Sequence, residues 1–531
     1  MLLSTVMKRR LFIAGGAAVF GSALASGGCG TNPWLQRALT ARDLALSSVR
    51  RLQVVRVDPL SGRCVYVADT GHATVDHPIL HARTGESFDF VIENLLPQPT
   101  TVHFHGLGLP EASDGAGFDP IPPGESRRVR FDIRDRSGLY WMHSHAHGFT
   151  AEQVHAGLAA LLVVHDDEDA ALDEALALAA GNRLALALAD VRESNGVLRP
   201  YSPGERDCLH GWYGNRMLVN GALDASIEVS PGWVRLQLLN ACNARGLLLG
   251  LTHARHGETG LARFHLIGTD GGLLAEPREV DRVFLYGGER VDIAIEIPAN
   301  GVLQANSLAF DARHQIRGKW PGHAHPARHH YPGLAAAQVC ASRESIDSVP
   351  ADGARMSLFS LRASAAIAPQ EGRMPSRLSS LTDARTARFD VDRRLRLDFD
   401  DQNGFVIDNL RYRIDEPGFA ITRGTREIWE IRNSPISMPH AMHLHGFHFR
   451  VLRRQGTFGP ARALATESNA RMPTDLGLKD TVVVWPNETL WLEVDFSLPA
   501  GAAFRGPQRY MFHCHNLEHE DGMMMRNLVV N

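Results

Sequence analysis

The run Met511-Phe512-His513-Cys514-His515 constrains this chain more than any other stretch. On an extended strand successive side chains point to opposite faces, so His513 and His515 share one face and Cys514 takes the other. One short strand can therefore serve two metal centres. Cys thiolate, His imidazole and a distant Met form the ligand set of an electron-transfer copper site, whereas paired imidazoles on the far side suit a second group of ions. His519 and Met524 follow at spacings that complete the first set. Three more clusters repeat the paired motif: His103-Phe104-His105, His143-Ser144-His145 and His443-Leu444-His445, the last with His440 just ahead of it. A lone His-x-His is usually a surface or core feature. Four such pairs together with a thiol between two of the imidazoles predict one buried cluster fed from both ends of the chain.

The rest of the composition agrees with a large globular protein. At 531 residues the chain is long enough for three or four domains, taking about 150 residues for each. Hydrophobic content of 44% and charged content of 21% support several cores. A formal net charge of −4 without a long basic run argues against nucleic acid as a partner. Short alternating runs such as Ser87–Ile92, Thr481–Trp485 and Leu490–Val494 recur between Gly and Pro turns, and the fold class they predict is all-β, built from sandwiches.

With these motifs in view the sequence resembles the multicopper oxidases, the family of laccases, ascorbate oxidase and bacterial periplasmic copper-efflux oxidases. The resemblance implies three consecutive cupredoxin-like Greek-key β-sandwich domains and four coppers per chain. His440, Cys514 and His519 would hold the type 1 copper with Met524 as axial ligand, chosen over its neighbours Met523 and Met525 by spacing from Cys514 and His519. His103 and His443 would hold the type 2 copper, and His105, His143, His145, His445, His513 and His515 the type 3 pair. Dioxygen would be the acceptor, with electrons crossing from Cys514 into its two histidine neighbours. Asp114 and Glu520 match positions implicated in proton delivery, with a turn carboxylate and a hydrogen-bond acceptor as their plainer readings.

The resemblance is partial where the donor binds. Copper-efflux oxidases carry a Met-rich insertion and an acidic residue ahead of the first type 1 histidine. Here residues 394–404 pass straight from strand to strand, and Ser434-Pro435-Ile436-Ser437-Met438-Pro439-His440 keeps Met438 but has Ile436 where the acid would stand. Phenolic or aromatic donors are therefore expected ahead of Cu(I) or Fe(II), with a dedicated cuprous oxidase using Asp400, Asp401 and Met438 as the alternative. A copper carrier or a copper-free scaffold would need neither four histidine motifs nor a Cys between two His.

Expected boundaries are a first domain over 54–165, a second without ligands over 184–362 acting as a spacer, a linker over 363–388 and a third domain over 389–531. The second domain carries a His-rich insertion near 314–332, read as a solvated loop or a labile copper-collecting one. Residues 1–25 have the form of a twin-arginine leader, with Lys8-Arg9-Arg10 ahead of an apolar stretch and Ala23-Leu24-Ala25 at its end. Export through the twin-arginine machinery to the periplasm as a monomer is expected, with a lipid anchor on Cys29 as the alternative. In that oxidising compartment Cys64, Cys208, Cys242 and Cys340 could form up to two disulfides in three pairings, although Cys242 reads better as a small buried thiol.

Overall fold

The computed structural model describes residues 42–253, 260–313, 349–364, 371–382, 390–456, 459–466, 468–498, 504 and 506–531. The expected leader, Cys29, Cys340 and the His-rich stretch near 314–332 lie outside the described residues.

Six sheets of five to seven strands stack in pairs around three apolar cores, which makes three β-sandwiches in series. Outer strands alternate as their sequence demands: Ser87–Asn94 buries Phe88, Phe90 and Ile92 and turns Ser87 and Asp89 outward. Strands facing other units lose the alternation. Thr481–Val484 is buried throughout, and so is Gln508–Cys514 from Tyr510 onward. Each sandwich contains the same parallel pairing of two strands that are not successive in its sheet. Arg51–Arg56 lies beside Ser87–Asn94, Arg183–Val191 beside Gly232–Asn240, and Arg393–Asp400 beside Arg426–Asn433. Strand pairs of this kind need crossover connections and distinguish these sandwiches from simple meanders.

The first sandwich recruits chain ahead of the expected limit at residue 54. Strand Asp43–Ala45 pairs with Ile79–Arg83, and Arg51–Arg56 straddles that limit. Strands of the second run from Arg183–Val191 to Met356–Ala363, and those of the third from Arg393–Asp400 to Met525–Val530. Of the expected linker, Ala363 still belongs to the strand Met356–Ala363, while 371–382 has no regular structure but is not a free tether. Arg373 N–H donates to Ala175 O at 2.9 Å, Leu378 N–H to Ala275 O at 2.8 Å, and Leu378 enters the second core.

Of the four candidate cysteines, Cys242 is the expected small buried thiol, and Cys64 takes no part in a disulfide. Cys64 and Cys242 are free thiols buried in separate cores, while Cys208 is disulfide-bonded.

Candidate metal centre

Antiparallel register brings the predicted ligands together. Strand His440–Leu444 lies beside Gln508–Cys514 with Met442 opposite Cys514 and His443 opposite His513. Strand His103–His105 lies beside Gly138–His143 with His103 opposite His143. His519 comes from the one-turn helix Leu517–Asp521, whose cap Asn516 accepts a hydrogen bond from the His519 backbone N–H.

On the Cys514 face, Sγ lies 3.5 Å from His440 Nδ1 and 3.6 Å from His519 Nδ1, and the two nitrogens are 3.2 Å apart. All three residues are fully buried. The outer nitrogens are fixed: His440 Nε2 meets Ser437 Oγ at 2.9 Å and His519 Nε2 meets Leu209 O of the middle sandwich at 3.2 Å. Phe405 packs on the His519 ring with centroids 3.7 Å apart. Burial drives the Cys514 thiol well above its ordinary range, so a thiolate here requires a cation among the three donors. Met524 packs in the same apolar cluster as Cys514, whereas Met523 and Met525 join Met511 and Tyr412 in another.

On the opposite face eight imidazoles, none more than 1% exposed, converge from the first and third sandwiches. Their nitrogens form three groups: His103, His105 and His443; His105, His143 and His515; His145, His445 and His513. His145 Nε2 and His445 Nε2 stand 3.2 and 3.0 Å from His513 Nε2, and His105 Nδ1 stands 3.3 Å from His143 Nε2. Burial first, and then the neighbouring rings, holds His105, His143, His145, His445 and His515 well below the usual imidazole range, and His443 falls to about 3. Neutral imidazoles are the ligand form. The Nε2 atoms of His103 and His443 are buried without a hydrogen-bond partner, and an unsatisfied buried acceptor costs about 1–3 kcal/mol. Buried lone pairs directed at one another fit metal ions.

The two expected carboxylates sit at this cluster. Asp114, in the one-turn helix Glu111–Asp114 closed by Gly115 at φ +78°, places Oδ2 2.8 Å from His445 Nδ1, and its backbone oxygen accepts from His103 Nδ1 at 2.7 Å. Glu520 places Oε1 3.5 Å from His145 Nε2 and Oε2 3.3 Å from His513 Nδ1, and neither oxygen has a hydrogen-bond partner.

Sequence reasoning missed the polar frame behind these ligands. Asp480 accepts from His105 Nε2 at 3.0 Å and is gripped by Arg290 at 2.7 and 2.5 Å, which holds its carboxyl well below the usual range against the opposing pull of burial. Lys479 lies 2.9 Å from Asp270 and 3.2 Å from Glu289. Glu518, pushed up to about 7 by burial, accepts from Asn243 and Tyr201. Asp521 accepts from the backbone N–H groups of Gly148, Thr150 and Ala151. No spacing rule marks these residues, because each of these contacts joins segments far apart in the chain.

Two models of the multicopper oxidase family match, over residues 72–169 and 383–531, the segments that carry every donor described above. The chain belongs to the multicopper oxidases. Among its relatives are the Staphylococcus aureus multicopper oxidase mco, 25% identical over 85% of this chain and 81% of that one, and the Bacillus subtilis laccase, 27% identical over 85% and 82%. The Xenorhabdus nematophila cell division protein FtsP is 26% identical over 86% and 83%. The solved structure of the McoA multicopper oxidase from Aquifex aeolicus superposes with a TM-score of 0.72 at 27% identity, covering 93% of this chain and 99% of that one. As a multicopper oxidase the chain is an oxidoreductase that uses copper, and imidazole with thiolate is a donor set suited to that metal.

Proposed function

We propose that this oxidase couples one-electron oxidation of phenolic or aromatic donors at His440, Cys514 and His519 to four-electron reduction of dioxygen at the eight-histidine cluster. The observation that carries the reading is the strand Gln508–Cys514, which presents its thiol to one set of donors and, with His515 just beyond it, two imidazoles to the other. His440, Cys514 and His519, with Met524 beside them in the same core, would hold type 1 copper. His103 and His443 would hold type 2, and two triads, His105 with His143 and His515 and His145 with His445 and His513, would hold the type 3 pair. Bound copper supplies one-electron acceptance on the Cys514 side and pooled electrons for dioxygen on the other. The chain's own task is then to position and to protonate. Cys514 is bonded through the backbone to both His513 and His515, which gives a short covalent path between the sites. Glu520, with both oxygens free of hydrogen bonds, and Asp114, with Oδ1 free, can each carry a proton to the dioxygen side.

Donor choice follows from the surface above His440. Ile436 is 67% exposed, and the next residue, Ser437, holds the His440 ring. That apolar step suits an aromatic ring. The alternative, a dedicated Cu(I) or Fe(II) oxidase, is less well served. Met438 is fully buried in the third core, and Asp400 is spent on capping the hairpin turn at Gln402 and Asn403. We further place the enzyme in the periplasm after twin-arginine export, a reading supported by the Arg9-Arg10 leader and the disulfide at Cys208.

Oxygen uptake by the copper-loaded protein, measured in parallel with a methoxyphenol and with a stabilised Cu(I) complex, tests this. Fast phenol turnover without added Cu(II) is expected. Turnover of Cu(I) alone would transfer the assignment to the cuprous reading, and no uptake with either donor would refute an oxidase.

A further inference from the structure

Arg290 opens the strand Arg290–Ile297 of the middle sandwich, whose described residues give the cluster no ligand, yet its guanidinium lies behind the eight-histidine cluster. It is 1% exposed and all five of its N–H groups are engaged. Nε donates to Leu139 O of the first sandwich at 3.0 Å. Nη1 donates to Gly288 O at 3.1 Å and Asp480 Oδ1 at 2.7 Å, and Nη2 to Asp270 O at 3.1 Å and Asp480 Oδ2 at 2.5 Å. One side chain thus joins all three sandwiches.

Its target matters more than its reach. Asp480 accepts from His105 Nε2 at 3.0 Å through its side chain and from His443 Nδ1 at 2.9 Å through its backbone oxygen. Other ring nitrogens backed by oxygen in the cluster are Nδ1 atoms: His103 on Asp114 O, His143 on Ser144 O and His445 on Asp114 Oδ2. These rings offer Nε2 inward. His105 is turned the other way round, with Nε2 on the carboxylate and Nδ1 toward His143. An acceptor at Nε2 is what selects that tautomer and ring orientation.

The glycine after His105 is part of the same device. Gly106 sits at φ +92°, and a Cβ there would stand 2.5 Å from Arg290 Nη2 and 2.8 Å from Asp480 Oδ2. The small residue closing the first His-x-His motif leaves room for the ion pair.

We infer that Arg290 is a positioning residue for dioxygen reduction: through Asp480 it holds His105 in the Nδ1-ligating tautomer, so the middle sandwich sets the geometry of a cluster to which its described residues give no ligand. This rests on the assignment of the eight histidines to copper.

The test compares Arg290→Met and Arg290→Lys with the wild type by chelator competition, reading the blue absorption of the Cys514 site separately from the near-ultraviolet and paramagnetic signals of the histidine cluster. Arg290→Met should keep the blue absorption and lose about 10- to 100-fold in copper affinity at the cluster. Arg290→Lys, charged but unable to fork, should fall between. Wild-type cluster affinity in a folded Arg290→Met, or equal losses at both sites as expected of a purely structural clamp, would overturn the inference. If Arg290→Met does not fold, Arg290→Lys decides alone, and unchanged cluster affinity overturns it. A wild type that binds copper only at Cys514 would instead overturn the cluster assignment itself.

Discussion

Replacing Asp521 by alanine should loosen the molecule at one identifiable place. The Asp521 carboxylate, in the helix that carries His519 and Glu520, accepts from Gly148 N–H at 2.8 Å and Thr150 N–H at 3.2 Å through Oδ1, and from Ala151 N–H at 3.0 Å through Oδ2. It caps the helix Thr150–His155 from the far end of the chain and fixes the segment after His145. Alanine strands three buried N–H groups, each worth about 1–3 kcal/mol when left unsatisfied. With water reaching part of the space, about 3–5 kcal/mol is expected. Asparagine keeps one oxygen for Gly148 and Thr150 but turns an amide toward Ala151, so about 1–2 kcal/mol should be lost. Three sandwiches rule out a single two-state transition, so the suitable assay is amide hydrogen exchange of residues 146–152 alongside the denaturant midpoint. Protection should fall in the order wild type, Asp521→Asn, Asp521→Ala. Exchange unchanged in Asp521→Ala, with stability within about 0.5 kcal/mol of wild type, would refute the view that this carboxylate locks the first sandwich to the third.

Other expectations are more direct. Cys514→Ser should abolish blue absorption and donor oxidation while leaving circular dichroism and thermal unfolding of the apoprotein close to wild type. Asp114→Asn and Glu520→Gln should each slow oxygen consumption by about 10²- to 10⁴-fold with the blue colour intact, and an unchanged rate would remove that carboxylate from proton delivery. His155, pushed down to about 4 by burial, lies below the 6.5 of an exposed imidazole. Between those values the unfolded chain binds a proton that the folded one refuses. Its contribution to stability is therefore complete above pH 6.5 and lost as pH falls toward 4. His155→Gln should flatten this part of the stability profile by up to about 3 kcal/mol.

The donors that converge at the two sites were legible because strand alternation is a local rule. His513, Cys514 and His515 declare their faces from three consecutive positions, and the other His-x-His pairs do the same. Spacing picked Met524 from three consecutive methionines, and packing sends Met524 to the Cys514 core and its neighbours elsewhere. The spacer role expected of the middle sandwich missed Arg290, because an arginine opening a strand looks like ordinary solvated flank until the chain brings Asp480 against it. Cys64 likewise looked ready for a disulfide, and only its place in the first core shows it confined there. What escaped the sequence in each case was a contact across a long separation in the chain.

The sheet order of the third sandwich has a consequence for biosynthesis. Strand Gln508–Cys514 is inserted between His440–Leu444 and Met525–Val530, so His513, Cys514 and His515 reach their places only when the whole third sandwich has left the ribosome. Donors from the first sandwich must wait, complete and folded, for the far end of the chain to close over them. A chain that stops before the third sandwich has half a cluster and lacks Cys514. Filling both sites is thus a record that the third sandwich has been made and has met the first.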